Sequence, residues 1–301
     1  MDATMERAVT VFCSVSSREM HDVESWLIPS LMLQKKISVI DLYLINYTGR
    51  DTLLYTGERQ RGIVTIREIS KGSACGFGEA HNFAFAAVSP GPCFLIVNPD
   101  VFLHELCLRE LLDRIGRDSH AGLVEARQLP YENPKEYDPA TGETPWATGC
   151  CVMVNSEFFR TSGGFDELFW MYTEDVDLSW RAWLAGYRVI YHPPAVTYHY
   201  TGHYFSYHPY RYYTEHFWSA RNFLYILYKY WGRHGMKRGM KILKRLGYPA
   251  GYVDEVITSF RNAAGKADTR SFREYRRGVR RHRERIIVMG FNQYNRSRIG
   301  E

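Results

Sequence analysis

The chain has 301 residues, of which 45% are hydrophobic and 24% charged, with a formal net charge of +5. That composition is too apolar for a disordered or fibrous polymer, and the length suits one large core with an appendage. No apolar run approaches the ~20 residues of a membrane span, and Met1 to Arg7 lacks the basic start and apolar stretch of a signal peptide, so a cytoplasmic protein, soluble or peripheral on the inner membrane face, is expected.

Apolar runs at Val9 to Cys13, Val39 to Ile45, Ile63 to Ile66 and Phe94 to Val97 read as buried strands. Between them, Val23 to Leu33, with Trp26, Leu27, Ser30 and Leu31 on one face, reads as a helix, and Leu106 to Ile115 follows as another. The alternation predicts an α/β fold, a mostly parallel sheet with helices on both faces. The six cysteines, Cys13, Cys75, Cys93, Cys107, Cys150 and Cys151, include no C-x-x-C pair, which argues for buried thiols rather than a zinc site; Cys150-Cys151 reads as strand core rather than a redox pair.

The strand ending at Val97 runs into Asn98-Pro99-Asp100. Ligands of open α/β sheets bind beyond the carboxyl ends of strands, so Asp100 stands where a ligand or metal would be held; an ordinary turn is the alternative. Leu129 to Thr144, with Pro130, Pro134, Pro139 and Gly142, reads as a loop lying directly before Trp146, either functional or a solvated insertion. Farther on, Thr173 to Arg181 sets Glu174, Asp175 and Asp177 in an apolar, aromatic frame. A helix over Val176 to Gly186 puts Val176, Trp180 and Leu184 on one buried stripe and leaves Glu174 and Asp175 at its N-terminus facing a cleft. A carboxylate on such a rigid edge suits a general base, and helix capping accounts for it equally well.

Charge divides the chain near residue 204. Residues 1 to 204 carry 17 Lys or Arg against 26 Asp or Glu, and residues 205 to 301 carry 21 against 7. The second part opens with an aromatic band from Tyr204 to Trp231 and continues through Lys237, Arg238, Lys241, Lys244 and Arg245. It is expected to be helical, with at least half of its aromatics packed on the preceding domain and its basic residues facing an anionic membrane, each worth ~1 kcal/mol there. A second basic run, Arg273 to Arg285, fits a solvated face, a contact in a homo-oligomer or a contact to an anionic lipid-linked molecule. No RNA or DNA motif is present, so nucleic acid is not an expected partner.

In combination, these segments resemble family 2 glycosyltransferases, particularly the bacterial rhamnosyltransferase-like branch, over residues 8 to 205. Val9 to Cys13 resembles the first nucleotide-binding strand, and Gly76-Phe77-Gly78 through Asn82 the G-F-x-x-x-x-N segment. Leu95 to Asp100 resembles the strand carrying the D-x-D metal motif, Trp146 to Cys151 the W-x-S-G-A segment, and Gly163 to Gly186 the G-G-F-D-E and E-D-V-D-L run. The resemblance implies a GT-A fold and metal-dependent, inverting transfer of a sugar from a dTDP-, UDP- or GDP-sugar to a growing surface polysaccharide or lipid-linked glycan. It implies that Asp100 and His199, with His203 as the alternative, hold Mn²⁺ or Mg²⁺, and that Asp175, beside Glu174, is the base. Ser14, Ser16, Asn46, Asn82, Asn98 and Asp100 would contact the nucleotide-sugar, and Trp146, Thr148, Gly149 and Asp166 would line the donor and acceptor pocket.

The chain departs from the family where the first loop reads Val15-Ser16-Ser17 rather than T-Y-N, and where Asn46-Tyr47-Thr48 replaces a segment with Asp, which leaves base and sugar open. A sugar nucleotidyltransferase would need a Gly-rich basic loop after the first strand. A non-catalytic sugar-binding module would have lost the base or a metal ligand.

Overall fold

The computed structural model describes residues 8–49, 55, 57–130, 132, 136–199, 209–246 and 248–281. The first strand, β1 (Ala8–Val15), leads into a helical stretch made of α1 (Met20–Asp22), a π-helical turn (Val23–Leu27) and α2 (Ile28–Met32). Next come β2 (Val39–Asn46), β3 (Arg59–Arg61), β4 (Val64–Ser70), α3 (Phe77–Val88), β5 (Cys93–Val97), β6 (Val101–Leu103) and α4 (Cys107–Gly116). They are followed by β7 (Ala121–Leu129), β8 (Cys151–Asn155), α5 (Ser156–Thr161), α6 (Glu174–Leu184) and β9 (Arg188–His199), and the described residues end with α7 (Pro209–Arg245), α8 (Ala250–Lys266) and α9 (Arg270–Arg281).

The nine strands form one sheet in the order β3-β4-β2-β1-β5-β8-β7-β9-β6. Strands β4, β2, β1 and β5 are mutually parallel, β7 runs parallel to β9, and β3, β8 and β6 are antiparallel to their neighbours. Side chains alternate across this sheet. Val9, Val11, Cys13 and Val15 face a cluster with Leu27, Ile28, Leu31, Leu108 and Leu111 from the helices of one side. Phe12, Phe94 and Ile96 face Ala80, Ala84, Phe158 and Phe159 from the other. The sheet is thus mostly parallel with helices on both faces, as the alternation of runs predicts.

Three expectations change in detail. Trp26 does not share the buried face of Leu27 and Leu31; it is 37% exposed, because the π-helical turn rotates it away from the stripe that a regular helix would make. Strands β3, β6, β7 and β9 are not visible in the sequence, whereas β8 begins at Cys151, which reads as strand core: β3 and β6 are three-residue strands, and β7 carries Glu125, Arg127 and Gln128 within it. Strand β9 contains Pro193 and Pro194, which cannot donate to a ladder; its pairing with β7 jumps there, from Ala126↔His192 to Arg127↔Val196, in a bulge.

The C-terminal helices are not laid on the sheet domain as a loose appendage. Gly232 breaks α7 with φ 64° and ψ −150°, and the chain folds back on itself. Gly235 and Gly239 permit the close return, since a Cβ on either would lie 2.6 Å from Leu227 atoms. Phe223, Tyr225 and Tyr230 are buried in a cluster that also contains Trp146, Phe169, Val176 and Trp180. These aromatics therefore pack on α6 and face no membrane, and the exposed basic residues of α7 and α9 make the outer surface. Among the described residues no helix is long and apolar enough to cross a membrane.

Candidate active site

The topology gathers the carboxyl ends of β1, β2, β5, β7 and β9 at one edge of the sheet. Strand β8 runs the other way, so the segment before it, Trp146–Cys150, enters at this same edge, with the Asn98 N–H donating to Cys150 O at 2.9 Å. Val101 pairs with His199, which brings Asp100 beside the end of β9. His199 Nε2 lies 3.2 Å from Asp100 Oδ1 and 3.5 Å from Asn98 Nδ2. The sequence-expected pair thus meets; His203 lies outside the described residues.

A chain of hydrogen bonds behind His199 fixes its proton. Glu125 and Gln128 are buried on β7, and the Gln128 amide donates from Nε2 to Glu125 Oε1 at 3.3 Å and to Thr148 Oγ1 at 2.6 Å. Its carbonyl oxygen therefore turns to His199 Nδ1, 3.2 Å away, which places the imidazole proton on Nδ1. Nε2 then presents a lone pair to the Asp100 carboxylate. One imidazole and one carboxylate at that separation suit a divalent ion whose other positions are filled from outside the protein. Among the described residues no cluster of three or more His, Cys, Asp or Glu is present, so Asp100 and His199 alone would not make a closed cage.

Across this edge stands Asp175, in the first turn of α6 and half-buried. Its Oδ2 accepts the Gly149 N–H at 3.1 Å, and its Oδ1 accepts the Val176 N–H at 2.8 Å. Ser179, one turn on, donates to Asp175 O and accepts the Ala147 N–H, tying α6 to the Trp146–Cys150 segment. Gly149 sits in a tight place, where a Cβ would lie 3.1 Å from the Phe77 ring. Asp175 thus makes the capping contacts and stays half-buried at the start of α6. Glu174 is buried behind it.

The carboxyl end of β1 is organised by a residue that sequence reading missed. Glu19 accepts from the Ser16 N–H at 2.8 Å, the Ser16 hydroxyl at 2.7 Å and the Tyr47 hydroxyl at 3.0 Å, joining the β1 and β2 loops. Asn46 is buried and tied to Glu68 and Thr48, and Ser14 is nearly buried. Three expected pocket residues are used elsewhere. Asn82 grips the Phe165 backbone, donating to its carbonyl at 3.0 Å and accepting its N–H at 2.8 Å, because the positive-φ glycines Gly163 and Gly164 bring that loop against α3. Asp166 caps the turn at Leu168 and pairs with Lys229 at 2.8 Å. Trp146 is 1% exposed in the shared core rather than on a pocket wall.

The C-terminal helices reach the same elements. Lys229 and Arg181 both pair with the fully buried Asp177, at 2.7 and 2.8 Å, and Tyr230 donates to it at 2.9 Å. Burial opposes ionisation of Asp177, but the two cations and these hydrogen bonds outweigh it and hold the carboxyl below its ordinary range.

No protein-family model matches the chain. An N-acetylglucosaminyl-diphospho-decaprenol L-rhamnosyltransferase of Mycobacterium tuberculosis is 27% identical over 183 residues, spanning 46% of this chain and 60% of the relative. Rhamnosyltransferase WbbL of Escherichia coli is 37% identical over 70 residues, 23% of this chain and 26% of the relative. Among solved structures, mannosyltransferase PcManGT of Pyrobaculum calidifontis, in complex with GDP-Man and Mn²⁺, aligns with a TM-score of 0.52 at 13% identity, covering 93% of this chain and 76% of that one. Residues 1–349 of S. aureus TarS align with a TM-score of 0.52 at 14% identity, over 88% of this chain and 74% of that one. The chain is similar in sequence to these rhamnosyltransferases and shares the GT-A fold of the solved glycosyltransferases. It spans about 60% of the length of the mycobacterial relative it matches. Within the GT-A frame, Gln128, Glu125 and Glu19 are the site residues that motif reading left out; no spacing in the sequence marks them, because they act from behind the residues that motifs quote.

Proposed function

We propose that this chain is an inverting glycosyltransferase that moves a sugar, with rhamnose as the first candidate, from a nucleotide-sugar to a glycan acceptor, lipid-linked or growing. The observation that carries the reading is the gathering of Asp100 and His199 at the sheet edge that the Trp146–Cys150 segment enters, with the half-buried Asp175 tied to that segment through Gly149. In this reading the acceptor hydroxyl gives its proton to Asp175, its oxygen bonds to the anomeric carbon, and the bond from that carbon to the nucleoside diphosphate breaks. Gly149 holds the Asp175 carboxylate in place while it waits. Asp100 and His199 would hold Mn²⁺ or Mg²⁺, which supplies charge neutralisation for the departing diphosphate. Support for the donor class comes from the GDP-Man and Mn²⁺ complex of PcManGT, and for rhamnose and a lipid-linked acceptor from the names of the mycobacterial and E. coli relatives.

Incubation with a panel of dTDP-, UDP- and GDP-sugars and Mn²⁺, with release of nucleoside diphosphate as readout, tests the reading. Turnover is expected with one of them and its loss in EDTA. Asp175→Asn, which keeps size and removes the proton acceptor, is expected to lower transfer by at least ~10²-fold with donor binding little changed. Near-normal turnover in that variant removes Asp175 from the mechanism.

A further inference from the structure

We infer that Asn222, on the C-terminal helix α7, is a positioning residue for the Asp175 carboxylate, acting through the turn that launches α6. The inference rests on the reading of Asp175 as the base. Its ground is the backbone between Leu168 and Thr173. Trp170, Tyr172 and Thr173 all have positive φ, 59°, 67° and 76°, although none is glycine. L-residues adopt that region only when the surroundings hold them there, and such runs collect at functional sites.

The surroundings can be named donor by donor. Asn222 is fully buried, and its side-chain nitrogen lies 2.8 Å from Phe169 O, 2.7 Å from Met171 O and 2.6 Å from Tyr172 O. Two N–H hydrogens thus serve three carbonyls of one turn. Arg221 donates to Leu168 O, and its other bond, to Asn222 Oδ1 at 2.5 Å, fixes which end of the amide points at the turn. From the opposite side the Phe77 N–H donates to Trp170 O at 2.8 Å, where Gly76 leaves room for that carbonyl. Every carbonyl from Leu168 to Tyr172 is therefore accounted for, four of the five by two consecutive residues of α7. The Thr173 carbonyl then accepts from the Asp177 N–H as the first bond of α6, with Asp175 between them. The turn adopts left-handed conformations that L-residues disfavour; it has internal bonds, such as the Met171 N–H to Phe169 O at 2.7 Å, but most of the donors to its carbonyls come from a region outside the sheet domain.

Asn222→Asp tests this. It keeps the size and the acceptor for Arg221 but turns the donor amide into a carboxylate facing three carbonyls. Asn222→Leu, which removes both, serves as the second variant, and far-UV circular dichroism with thermal melting verifies that each folds. The expected result is a fall in kcat of about 10- to 100-fold, as for a misplaced catalytic group, with KM and donor affinity within about twofold. Hydrogen exchange should quicken in residues 168–176 and not in the strands of the sheet. In an Asp175→Asn background the same substitution should change the residual rate by less than about twofold, because the group being positioned is gone.

Unaltered kcat per folded molecule, or unaltered exchange in 168–176, overturns the inference, as does an equal fold-loss with and without Asp175. An inactive Asp175→Asn beside a fully active Asn222→Asp removes this inference alone. Near-normal turnover in Asp175→Asn by itself removes the base reading, and the inference with it.

Discussion

His199 receives its tautomer from residues that would touch neither metal nor sugar. Glu125 is acceptor-only when ionised, so it dictates which end of the Gln128 amide faces His199, and Gln128 in turn dictates which imidazole nitrogen is left with a lone pair toward Asp100. Gln128→Leu keeps the volume and deletes that instruction. Mn²⁺ affinity, followed by calorimetry in the presence of nucleoside diphosphate, is expected to fall by about 10- to 100-fold, as for other lost partners behind a ligating histidine. Affinity unchanged by the substitution would mean that His199 is oriented by Asn98 alone. At this scale the sequence singles out three partly buried residues, Asp100, Asp175 and His199, that the fold places at the same edge of the sheet. It was misleading where the motif residue builds a loop: Asn82 and Asp166 look like ligand contacts in a linear pattern, and their partners, Phe165 and Lys229, are set by packing that a pattern does not contain.

Among elements, α3 shows how the cleft wall is built. His81 is fully buried between Phe77 and Phe165, 4.2 Å and 6.1 Å between ring centres, and its Nδ1 donates to Phe77 O at 2.8 Å. Burial pushes its imidazole down to about 4, and the Phe77 hydrogen bond offsets only part of that shift. The folded state therefore binds this proton less readily than the unfolded chain, whose imidazole titrates near 6.5. The stabilisation from keeping His81 neutral is complete above about pH 6.5 and is lost as pH falls toward 4, by roughly 3 kcal/mol in all. Urea denaturation between pH 4 and 7 should show that slope, and His81→Leu should flatten it; an unchanged slope would assign the acid sensitivity to other groups. Strand β7 illustrates the opposite limit of legibility. Its polar residues hide it from any hydrophobic count, although Glu125 and Gln128 are buried, because they satisfy one another and Thr148.

For the molecule as a whole, the alternation of strands and helices and the charge division were legible, whereas the way the basic part joins the acidic part was not. Phe223, Tyr225 and Tyr230 of the aromatic band lie in a core shared with α6, in keeping with the expectation that at least half of the band packs on the preceding domain, and the basic side chains Lys237, Arg238, Lys241, Lys244 and Arg245 remain exposed outside it. If that outer face meets an anionic surface, the protein should sediment with vesicles containing anionic lipid and be released by salt, since exposed charges more than a Debye length of about 8 Å apart are screened at physiological ionic strength. Replacing the five by Gln should abolish sedimentation and leave donor turnover intact; sedimentation that survives the replacement moves the contact to Arg273, Arg277 and Arg280 on α9.

The shared core also bears on how the chain can be divided. A cut near residue 204 follows the charge boundary and would look harmless on composition, but it would strip the cover from Trp146, Phe169, Val176 and Trp180, all of them buried. Four large apolar side chains side by side are the kind of sticky patch that monomeric proteins avoid. Residues 1–204 expressed alone should therefore collect in the insoluble fraction, and their recovery as a soluble monomer would show that the sheet domain can close over that wound by itself.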